Sequence, residues 1–291
     1  MTKEIAIASG KGGTGKTFIA SNLSFFLHDQ GMKVVAVDAD VEAPDLVLAL
    51  GGIKKVIESS SFYGSQLPRV DYNKCIKCWR CIEACKFNAL LKGENGPIVL
   101  HELCEGLGTC AIVCPVKAIS FEEVKTGDLI IALSKEDIPV VMGELELGGE
   151  NSGRLVYELR KRARTMQCDF IVIDSAPGIG CPVISSIVGV DVLIIVIEPT
   201  PQSLKGAFRL LEVAKSLDVR TYAILNKYDI NPSFAREIEK SIDVDILGRI
   251  AYNDSVIEAY TSMVPLLKFK PESEIAWELR KIFKVILEEI I

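Results

Sequence analysis

Eight residues near the start of this 291-residue chain combine glycines, lysine and threonine in a pattern suited to phosphate binding. Gly10–Thr17 reads Gly-Lys-Gly-Gly-Thr-Gly-Lys-Thr and fits G-x-x-x-x-G-K-[ST]. Glycines let the backbone turn its N–H groups toward phosphate oxygens. We expect Lys16 to neutralise charge on the β- and γ-phosphates of a nucleotide, and Thr17 to offer its hydroxyl to Mg²⁺. The other predicted nucleotide contacts of the loop are Gly12, Gly13, Thr14 and Gly15.

A second group of reactive residues is a cluster of cysteines. Seven of the nine cysteines lie between Cys75 and Cys114, whereas the chain has only two histidines. This imbalance disfavours histidine acid–base chemistry and Cys/His zinc fingers. Clustered thiols in a reduced compartment favour a metal or iron–sulfur site over disulfides. A Cys₄ zinc site is the alternative, because such sites also use C-x₂-C pairs.

The first half of the cluster has the spacing of half a bacterial ferredoxin. Its pattern is C-x₂-C-x₂-C-x₃-C, in which three thiolates hold one cluster and the fourth holds the other. A second half ends in Cys114-Pro115 but has Leu107 where its second cysteine belongs. The resemblance assigns a first [4Fe–4S] cluster to Cys75, Cys78, Cys81 and Cys114. It assigns a second site to Cys85, Cys104 and Cys110.

Three hypotheses stay open for the second site, because leucine cannot bind iron. The site holds a [3Fe–4S] cluster, a [4Fe–4S] cluster with one labile or externally ligated iron, or no cluster. The three intact positions favour a cluster with three cysteine ligands, and Leu107 suggests [3Fe–4S] as its composition.

The elements that must hold these residues alternate between strand and helix. Short apolar runs rich in β-branched residues are typical of strands covered on both faces of a parallel sheet. Helical spacing separates many of them, so we predict a doubly wound, mostly parallel α/β fold of the P-loop type. The predicted strands include residues 5–8, 34–37, 170–173, 192–197 and 222–225. The predicted helices include residues 16–30, 154–166, 202–217 and 232–241.

This alternation breaks in the cysteine-rich stretch. We predict a P-loop domain in two parts, residues 1–66 and 127–291, and an inserted small α+β, two-cluster ferredoxin-like domain over residues 67–126. Glu274–Ile291 places apolar residues on one helical face. This pattern predicts a closing helix packed on the sheet, with a membrane-surface helix as the alternative.

The phosphate loop carries a second lysine directly after its first glycine. With Lys11 and Lys16, the loop resembles the deviant Walker A motif of the MinD/ParA and nitrogenase iron-protein group of P-loop ATPases. The resemblance covers roughly residues 1–60 and 130–265, and it implies ATP and Mg²⁺ as ligands. In this group the extra lysine reaches the nucleotide of the partner subunit. The resemblance therefore implies a homodimer, with Lys11 catalytic beside Lys16.

Four further positions match motifs of the same group at strand ends. By resemblance, Asp38 and Asp174 help to hold Mg²⁺, and Asp40 orients the attacking water. Each aspartate also fits the N-cap of a following helix, which is the structural alternative. Asn226 matches the asparagine that reads adenine, while Asp229 also fits the N-K-x-D pattern of guanine readers.

Cys181 has two interpretations. It follows Asp174 by seven residues, about where the nitrogenase iron protein carries a cluster ligand, so the resemblance implies a cluster shared across a dimer axis. The alternative is a small buried hydrophobic residue at a helix start. Cys168, which precedes a strand, is expected to be structural.

Composition limits the expected partners and location. With 33 Lys and Arg against 39 Asp and Glu, the net charge is −6, which makes nucleic acid and anionic membranes poor partners. No run reaches the roughly 18 apolar residues of a membrane span, and no signal-peptide pattern is present. We expect a cytoplasmic protein without stable membrane insertion.

Taken together, these motifs predict a dimeric ATPase that couples its nucleotide switch to iron–sulfur clusters. Gated electron transfer to a redox partner protein is the leading hypothesis, because ferredoxin clusters carry one electron. The alternatives are an iron–sulfur carrier or assembly ATPase that acts on an acceptor protein, and a MinD-like spatial regulator with a redox-sensing domain.

Overall fold

The computed structural model describes residues 2–290 and divides into two compact units. Met1 and Ile291, the outer ends of the predicted P-loop domain, lie outside the described residues, as does the side chain of Ile290. The first unit comprises Met1–Ser60, Asp128–Leu145 and Ser152–Ile291. The second unit comprises Ser61–Gly127 and Glu146–Asn151.

The strands and helices alternate along most of the chain. The strands are β1 (Lys3–Ser9), β2 (Val34–Ala39), β3 (Ile53–Phe62), β4 (Ser65–Val70), β5 (Leu90–Lys92), β6 (Pro97–Val99), β7 (Ile119–Val124), β8 (Gly127–Ser134), β9 (Pro139–Leu145), β10 (Phe170–Pro177), β11 (Val192–Ile197), β12 (Thr221–Asn226) and β13 (Ile246–Ile250). The α-helices are α1 (Lys16–Asp29), α2 (Leu46–Ala49), α3 (Arg80–Ala84), α4 (Thr109–Ile112), α5 (Ser152–Arg164), α6 (Cys181–Ile187), α7 (Pro201–Ser216), α8 (Pro232–Ser241), α9 (Asp254–Thr261), α10 (Leu266–Phe269) and α11 (Glu274–Val285). Short 3₁₀ turns cover His101–Leu103 and Tyr228–Ile230, and a π-helical turn covers Ile286–Ile290.

The first unit is built on a mostly parallel sheet, which confirms the predicted mostly parallel α/β fold of the P-loop domain. Among the described residues the sheet has nine strands in the order β13-β12-β11-β1-β10-β2-β9-β8-β3. The strands from β13 to β9 pair in parallel. The central strands are apolar and buried along almost their whole length, because helices cover both faces. Parallel pairing brings the carboxyl ends of β1, β2, β10 and β11 to one edge of the sheet.

The four helices predicted between residues 16 and 241 form within two residues of their expected ends. The predicted closing helix forms as α11, which ends at Val285 and is followed by the π-helical turn Ile286–Ile290. The apolar face of α11 packs in the main core with α1, where the rings of Phe26 and Phe283 lie 5.7 Å apart. This packing favours the closing-helix interpretation of the C-terminal segment. None of the helices within residues 2–290 combines the length and apolar composition that a membrane span requires.

The second unit has two small antiparallel sheets and a core of its own. β4 pairs with β7, and β5 pairs with β6. Its two short helices, α3 and α4, contribute one buried cysteine each, and these pack with apolar strand residues. The core residues are Cys81, Leu90, Cys110 and Ile119.

A buried ion pair ties β1 to the helices at the amino end of the sheet. The Arg160 guanidinium donates to Oε2 of Glu4 over 2.6 Å and to the carbonyls of Ser185 and Val188 over 2.6 and 2.8 Å. Burial alone would raise the pKa of Glu4, but hydrogen bonds from Arg164 and Arg160 hold that pKa below its ordinary value. The pair therefore joins β1, α5 and the end of α6.

We expect Glu4→Ala to lower the free energy of unfolding by about 3–5 kcal/mol, because it leaves the Arg160 charge buried without its partner. Lys3→Ala is the matched control, since it breaks the exposed Lys3–Asp191 pair and should cost about 1 kcal/mol or less. Urea unfolding of both variants measures the difference. Equal losses in the two variants would contradict a structural role for the buried pair.

Candidate functional site

The phosphate loop connects the end of β1 to the start of α1. Gly13 and Gly15 adopt φ angles of +78° and +97°, which residues with a Cβ rarely adopt. Gly10 has a different constraint, because a Cβ there would lie 2.1 Å from the carbonyl carbon of Gly206 in α7. Gly206 is a site residue that no motif predicts. An isolated glycine inside a helical segment is the only sequence signal that marks it.

Asp38 and Asp174 lie side by side at the edge of the sheet to which the loop leads. The register of β2 and β10 pairs them directly, and both side chains are buried. Burial and the neighbouring Asp174 carboxylate raise the pKa of Asp38 well above its usual value. Asp38 accepts hydrogen bonds from the N–H groups of Leu46 and Asp40, over 2.9 and 3.1 Å. Asp38 therefore also holds the backbone of the turn that follows β2.

The Asp174 carboxylate has no such support. Its side chain is 1% exposed, and no hydrogen bond of normal geometry from the described residues reaches either oxygen. Burial raises the pKa of Asp174 to about 7, although Lys16 and the Thr17 hydroxyl offset part of the rise. An orphaned buried carboxylate beside a second carboxylate and a threonine hydroxyl is an oxygen donor set that suits Mg²⁺. The residues predicted to hold the metal therefore fit it.

Asp40 lies two residues beyond Asp38 and is only partly buried. Burial raises the pKa of Asp40, and the Lys16 ammonium partly offsets this rise. The structure thus brings Asp40, Asp38 and Asp174 to the start of α1, where Lys16 and Thr17 lie.

A fourth aspartate, Asp45, lies in this group, although no sequence motif predicts it. Thr17 Oγ1 donates to Oδ1 of Asp45 over 3.3 Å, and the Tyr260 hydroxyl donates to Oδ2 over 2.6 Å. Burial and the hydrogen bond to Asp45 raise the pKa of Tyr260. Tyr260 lies in α9, more than two hundred residues away in sequence, so only the fold brings the two together.

The extra lysine of the loop is paired within its own chain. Lys11 forms an ion pair with Glu198 at the carboxyl end of β11. The same carboxylate lies 3.4 Å from Nζ of Lys227, which also donates to the carbonyl of Gly13 over 2.8 Å. The N–H of Glu198 is held by the Ser203 hydroxyl at 3.0 Å. Glu198 thus connects both lysines to the mouth of the loop.

A cavity of about 300 Å³ opens beside the loop. Asn226 lines it, and its side-chain amide donates to the carbonyl of Thr14 over 2.7 Å. Asp229 lies apart from the lining and accepts a hydrogen bond from the N–H of Tyr252 over 2.7 Å. The lining residues are Gly15, Phe18, Asn226, Lys227, Ala251, Tyr252, Asn253, Val256, Ile257 and Tyr260.

The seven clustered cysteines line two cavities of the second unit. The first has a volume of about 20 Å³ and is lined by four of them, Cys75, Cys78, Cys81 and Cys114. The second has a volume of about 50 Å³ and is lined by Cys85, Cys104 and Cys110, together with Leu107. Burial raises the pKa of the Cys81 and Cys110 thiols.

The chemistry of these thiols suits iron–sulfur clusters, whose ligands are cysteine thiolates. Within residues 2–290, no three His, Cys, Asp or Glu side chains form a group that could hold a metal ion. The N–H of Ala118 donates to Sγ of Cys114 over 3.2 Å, a contact of the kind that tunes cluster thiolates. The donor sets therefore fit iron–sulfur clusters.

Cys181 begins α6, as expected, but its side chain is exposed. The interpretation of Cys181 as a buried hydrophobic residue is therefore wrong for the single chain. α6 starts at the surface, where a Cβ on Gly153 of α5 would lie 3.0 Å from the Cys181 Cβ. Cys168 is half-buried, and its carbonyl accepts a hydrogen bond from Thr2.

Comparison with protein families gives one match that spans most of the chain. The profile described as the CobQ/CobB/MinD/ParA nucleotide binding domain matches residues 5–266. An uncharacterised protein of Methanocaldococcus jannaschii is 33% identical over 229 residues, 78% of this chain and 79% of its own length. The carbon monoxide dehydrogenase accessory protein CooC of Rhodospirillum rubrum is 27% identical over 86% of this chain and 84% of its own. An iron–sulfur cluster carrier protein of Pyrococcus abyssi is 22% identical over 91% of this chain and 79% of its own.

Solved structures with the same fold include the septum site-determining protein MinD of Pyrococcus horikoshii with Mg-ADP. It has a TM-score of 0.62 and 22% identity, and the match covers 99% of this chain and 97% of that one. The MinC:MinD complex of Aquifex aeolicus has a TM-score of 0.62 and 17% identity, with 100% and 97% covered.

The buried carboxylate pair predicts a pH dependence of stability in the nucleotide-free protein. Because the pKa of Asp174 is about 7 in the folded chain and about 3.9 in an unfolded one, the folded state binds an extra proton in between. The stabilisation of the folded state by this proton is fully present below about pH 3.9 and is lost as the pH rises through about 7. Asp174→Asn should reduce this dependence, to which the buried Asp38 also contributes, and should raise Tm at pH 8.

Thermal unfolding between pH 5 and pH 8, without nucleotide or Mg²⁺, measures the effect. Glu237→Gln in exposed α8 is the charge-matched control and should leave the wild-type slope unchanged. An Asp174→Asn variant that keeps the wild-type slope would show that the pair does not carry the effect.

The contact between Gly10 and Gly206 predicts a requirement for glycine in α7. A Cβ at Gly206 would lie 2.6 Å from the Gly10 carbonyl oxygen, so Gly206→Ala should displace the phosphate loop. We expect nucleotide affinity to fall at least roughly tenfold, because misdirected N–H groups lose charge-assisted hydrogen bonds to phosphate. Titration with a fluorescent ATP analogue measures this, and Lys205→Ala, at the exposed neighbouring position, should bind normally.

Proposed function

The chain belongs to the CobQ/CobB/MinD/ParA nucleotide-binding family, and we propose that it is a Mg²⁺-dependent, homodimeric ATPase that couples its nucleotide switch to iron–sulfur clusters. The clusters would pass electrons to a protein partner when the switch permits. The observation that carries this proposal is the division of seven cysteines between two cavities of one unit, in a chain whose other unit has a complete phosphate loop.

Residues at the carboxyl edge of the sheet would perform hydrolysis. Thr17, Asp38 and Asp174 would hold Mg²⁺, which supplies neutralisation of charge on the phosphate oxygens when bound. Lys16 adds positive charge at the start of α1. Asp40 would orient the attacking water, and its partial exposure leaves room for that water. Positioning and charge neutralisation therefore carry the reaction.

The ion pair between Lys11 and Glu198 supports a switch that depends on dimer formation. Lys11 cannot contact a nucleotide in a partner subunit while Glu198 holds it. A nucleotide phosphate offers the lysine a competing negative charge, so ATP would favour transfer of Lys11 across the interface. Glu198 would then keep Lys227, its second partner, at the Gly13 carbonyl.

Asn226 supports adenine over guanine as the base. It lines the cavity beside the phosphate loop, whereas Asp229 is not among the lining residues and accepts a hydrogen bond from the N–H of Tyr252. A guanine reader needs a carboxylate that faces the base to accept its hydrogen bonds. ATP is therefore the proposed nucleotide.

The two thiol sets would hold the clusters. Cys75, Cys78, Cys81 and Cys114 would bind a [4Fe–4S] cluster, and Cys85, Cys104 and Cys110 a second cluster with three cysteine ligands. When bound, such clusters supply one-electron chemistry. Cys181, exposed at the start of α6 shortly after β10, remains a candidate ligand of a cluster shared between subunits.

A carrier or assembly ATPase is the second candidate function. The observation that favours it is similarity to an iron–sulfur cluster carrier protein and to CooC, an accessory protein of carbon monoxide dehydrogenase. A spatial regulator is a third, based on the fold shared with MinD. The three functions differ in what happens to the clusters when ATP binds.

We expect anaerobically purified protein to contain iron and sulfide, with EPR signals of a reducible cluster. Cys81→Ser should lose the first cluster, whereas Cys168→Ser, which changes a cysteine outside both cavities, should retain both. ATP should change the rate at which the clusters reduce an external acceptor, and Lys16→Ala should abolish that change. Iron and sulfide analysis, EPR and stopped-flow absorbance measure these effects.

Three outcomes would redirect the proposal. Zinc without sulfide would replace the clusters by a Cys₄ metal site. Transfer of intact clusters to an apo-acceptor would favour the carrier. ATP-dependent binding to lipid vesicles that is unchanged after cluster removal would favour the spatial regulator.

A further inference from the structure

We propose that the second thiol-lined cavity holds a [4Fe–4S] cluster with one iron that this chain leaves without a ligand, and that this iron binds an external thiolate beside Leu107. The inference rests on the proposed function, because it requires a cluster in that cavity. It adds a binding site and the chemical class of its ligand.

The backbone around Leu107 repeats the backbone around Cys78. Lys77 and Gly106, which precede them, have φ angles of 53° and 64°. Trp79 and Gly108, which follow them, have φ angles of 62° and 78°, and each is the left-handed N-cap of the helix beginning at the next residue. Leu107 therefore occupies the position that carries a thiol in the first site.

The glycines make this geometry easier to adopt in the second site. Lys77 and Trp79 hold left-handed angles that non-glycine residues rarely adopt, whereas Gly106 and Gly108 hold them without a Cβ penalty. The second loop thus keeps the shape of a cluster-binding loop. The second loop lacks one cysteine ligand, but its backbone has the conformation that would present one.

The remaining ligands match between the two halves. Cys81 and Cys110 occupy the same position in α3 and α4, and they are 7% and 8% exposed. The cavity with three cysteines is also not smaller than the cavity with four, at about 50 against 20 Å³. Leu107 is 69% exposed, so most of its side chain faces solvent at the mouth of the cavity. The position of the missing ligand therefore faces solution.

The chemistry at this mouth selects the class of ligand. Iron in a sulfide cluster prefers soft thiolate donors. Phe87 and Leu107 give the rim apolar surface, and Lys86 and Glu105 place one charge of each sign on it. An organic thiolate fits this rim, either a small thiol or the cysteine of a partner polypeptide.

The test compares wild-type protein with Leu107→Cys and Leu107→Ala, each as the full chain reconstituted anaerobically with iron and sulfide. All three should bind roughly eight irons per chain, as expected for two [4Fe–4S] clusters. Mild oxidation should remove about one iron per chain from wild type and Leu107→Ala, with a three-iron EPR signal, because an unligated iron is labile. Leu107→Cys should resist this loss, since its thiol completes the ligand set.

Thiol titration then measures the external ligand. 2-Mercaptoethanol and a cysteine-containing peptide should each shift the EPR spectrum of the reduced second cluster in wild type and Leu107→Ala, but not in Leu107→Cys. Tighter binding of the peptide would assign the ligand to a polypeptide, and equal binding would assign it to small thiols. The alanine peptide is the matched control.

Two results would overturn the inference, and they are distinguishable from failure of the proposed function. About four irons per chain, unchanged in Cys104→Ser, would exclude the second cluster while leaving the first cluster and the ATPase proposal intact. A second cluster that is insensitive to thiols, or that stays three-iron when Fe²⁺ is added, would exclude an open iron. Absence of iron from both cavities would instead refute the proposed function itself.

Discussion

The register between β2 and β10 places the carboxyl groups of Asp38 and Asp174 side by side inside the protein, and the arrangement of the candidate site depends on that buried pair. Two carboxylates in a low-dielectric site repel each other and raise each other's affinity for protons or cations. Asp38 is supported by two backbone N–H groups, whereas both oxygens of Asp174 lack a hydrogen bond from the described residues. Lys16 supplies part of the compensation, and a nucleotide-bound Mg²⁺ would supply the rest.

The same edge of the sheet holds two contacts that would change under the proposed function. Thr17 donates to Asp45, so its hydroxyl would turn away from Asp45 to bind Mg²⁺. Lys11 is paired with Glu198, so its ammonium would leave Glu198 to contact a nucleotide in a partner subunit. Through its hydrogen bond to Asp45, Tyr260 extends this network into the wall of the cavity beside the phosphate loop. The proposed cycle would thus replace contacts that Thr17 and Lys11 make within the free protein by contacts with Mg²⁺ and a nucleotide.

The second unit has a small hydrophobic core. Its apolar cluster is small and includes two cysteines, Cys81 and Cys110, whose thiols also line the two cavities. Cluster binding would then contribute to folding of the unit, because metal–thiolate bonds substitute for missing hydrophobic burial. The left-handed residues that open α3 and α4 are the backbone counterpart of the repeated cysteine spacing.

Local chemistry made the sheet, the phosphate loop and the main helices predictable from the sequence. A buried parallel strand needs a β-branched apolar run, and a phosphate loop needs glycines at left-handed positions. Each of these signals lies in one short contiguous stretch of sequence. Five residues of the site were not predictable, because each contacts a residue that is distant in sequence and that only folding brings near. They are Gly206, Asp45, Glu198, Lys227 and Tyr260. The solvent exposure of Cys181 and of Leu107 was not predictable either. The exposure of a side chain depends on the residues that pack against it, and only the folded chain brings those residues together.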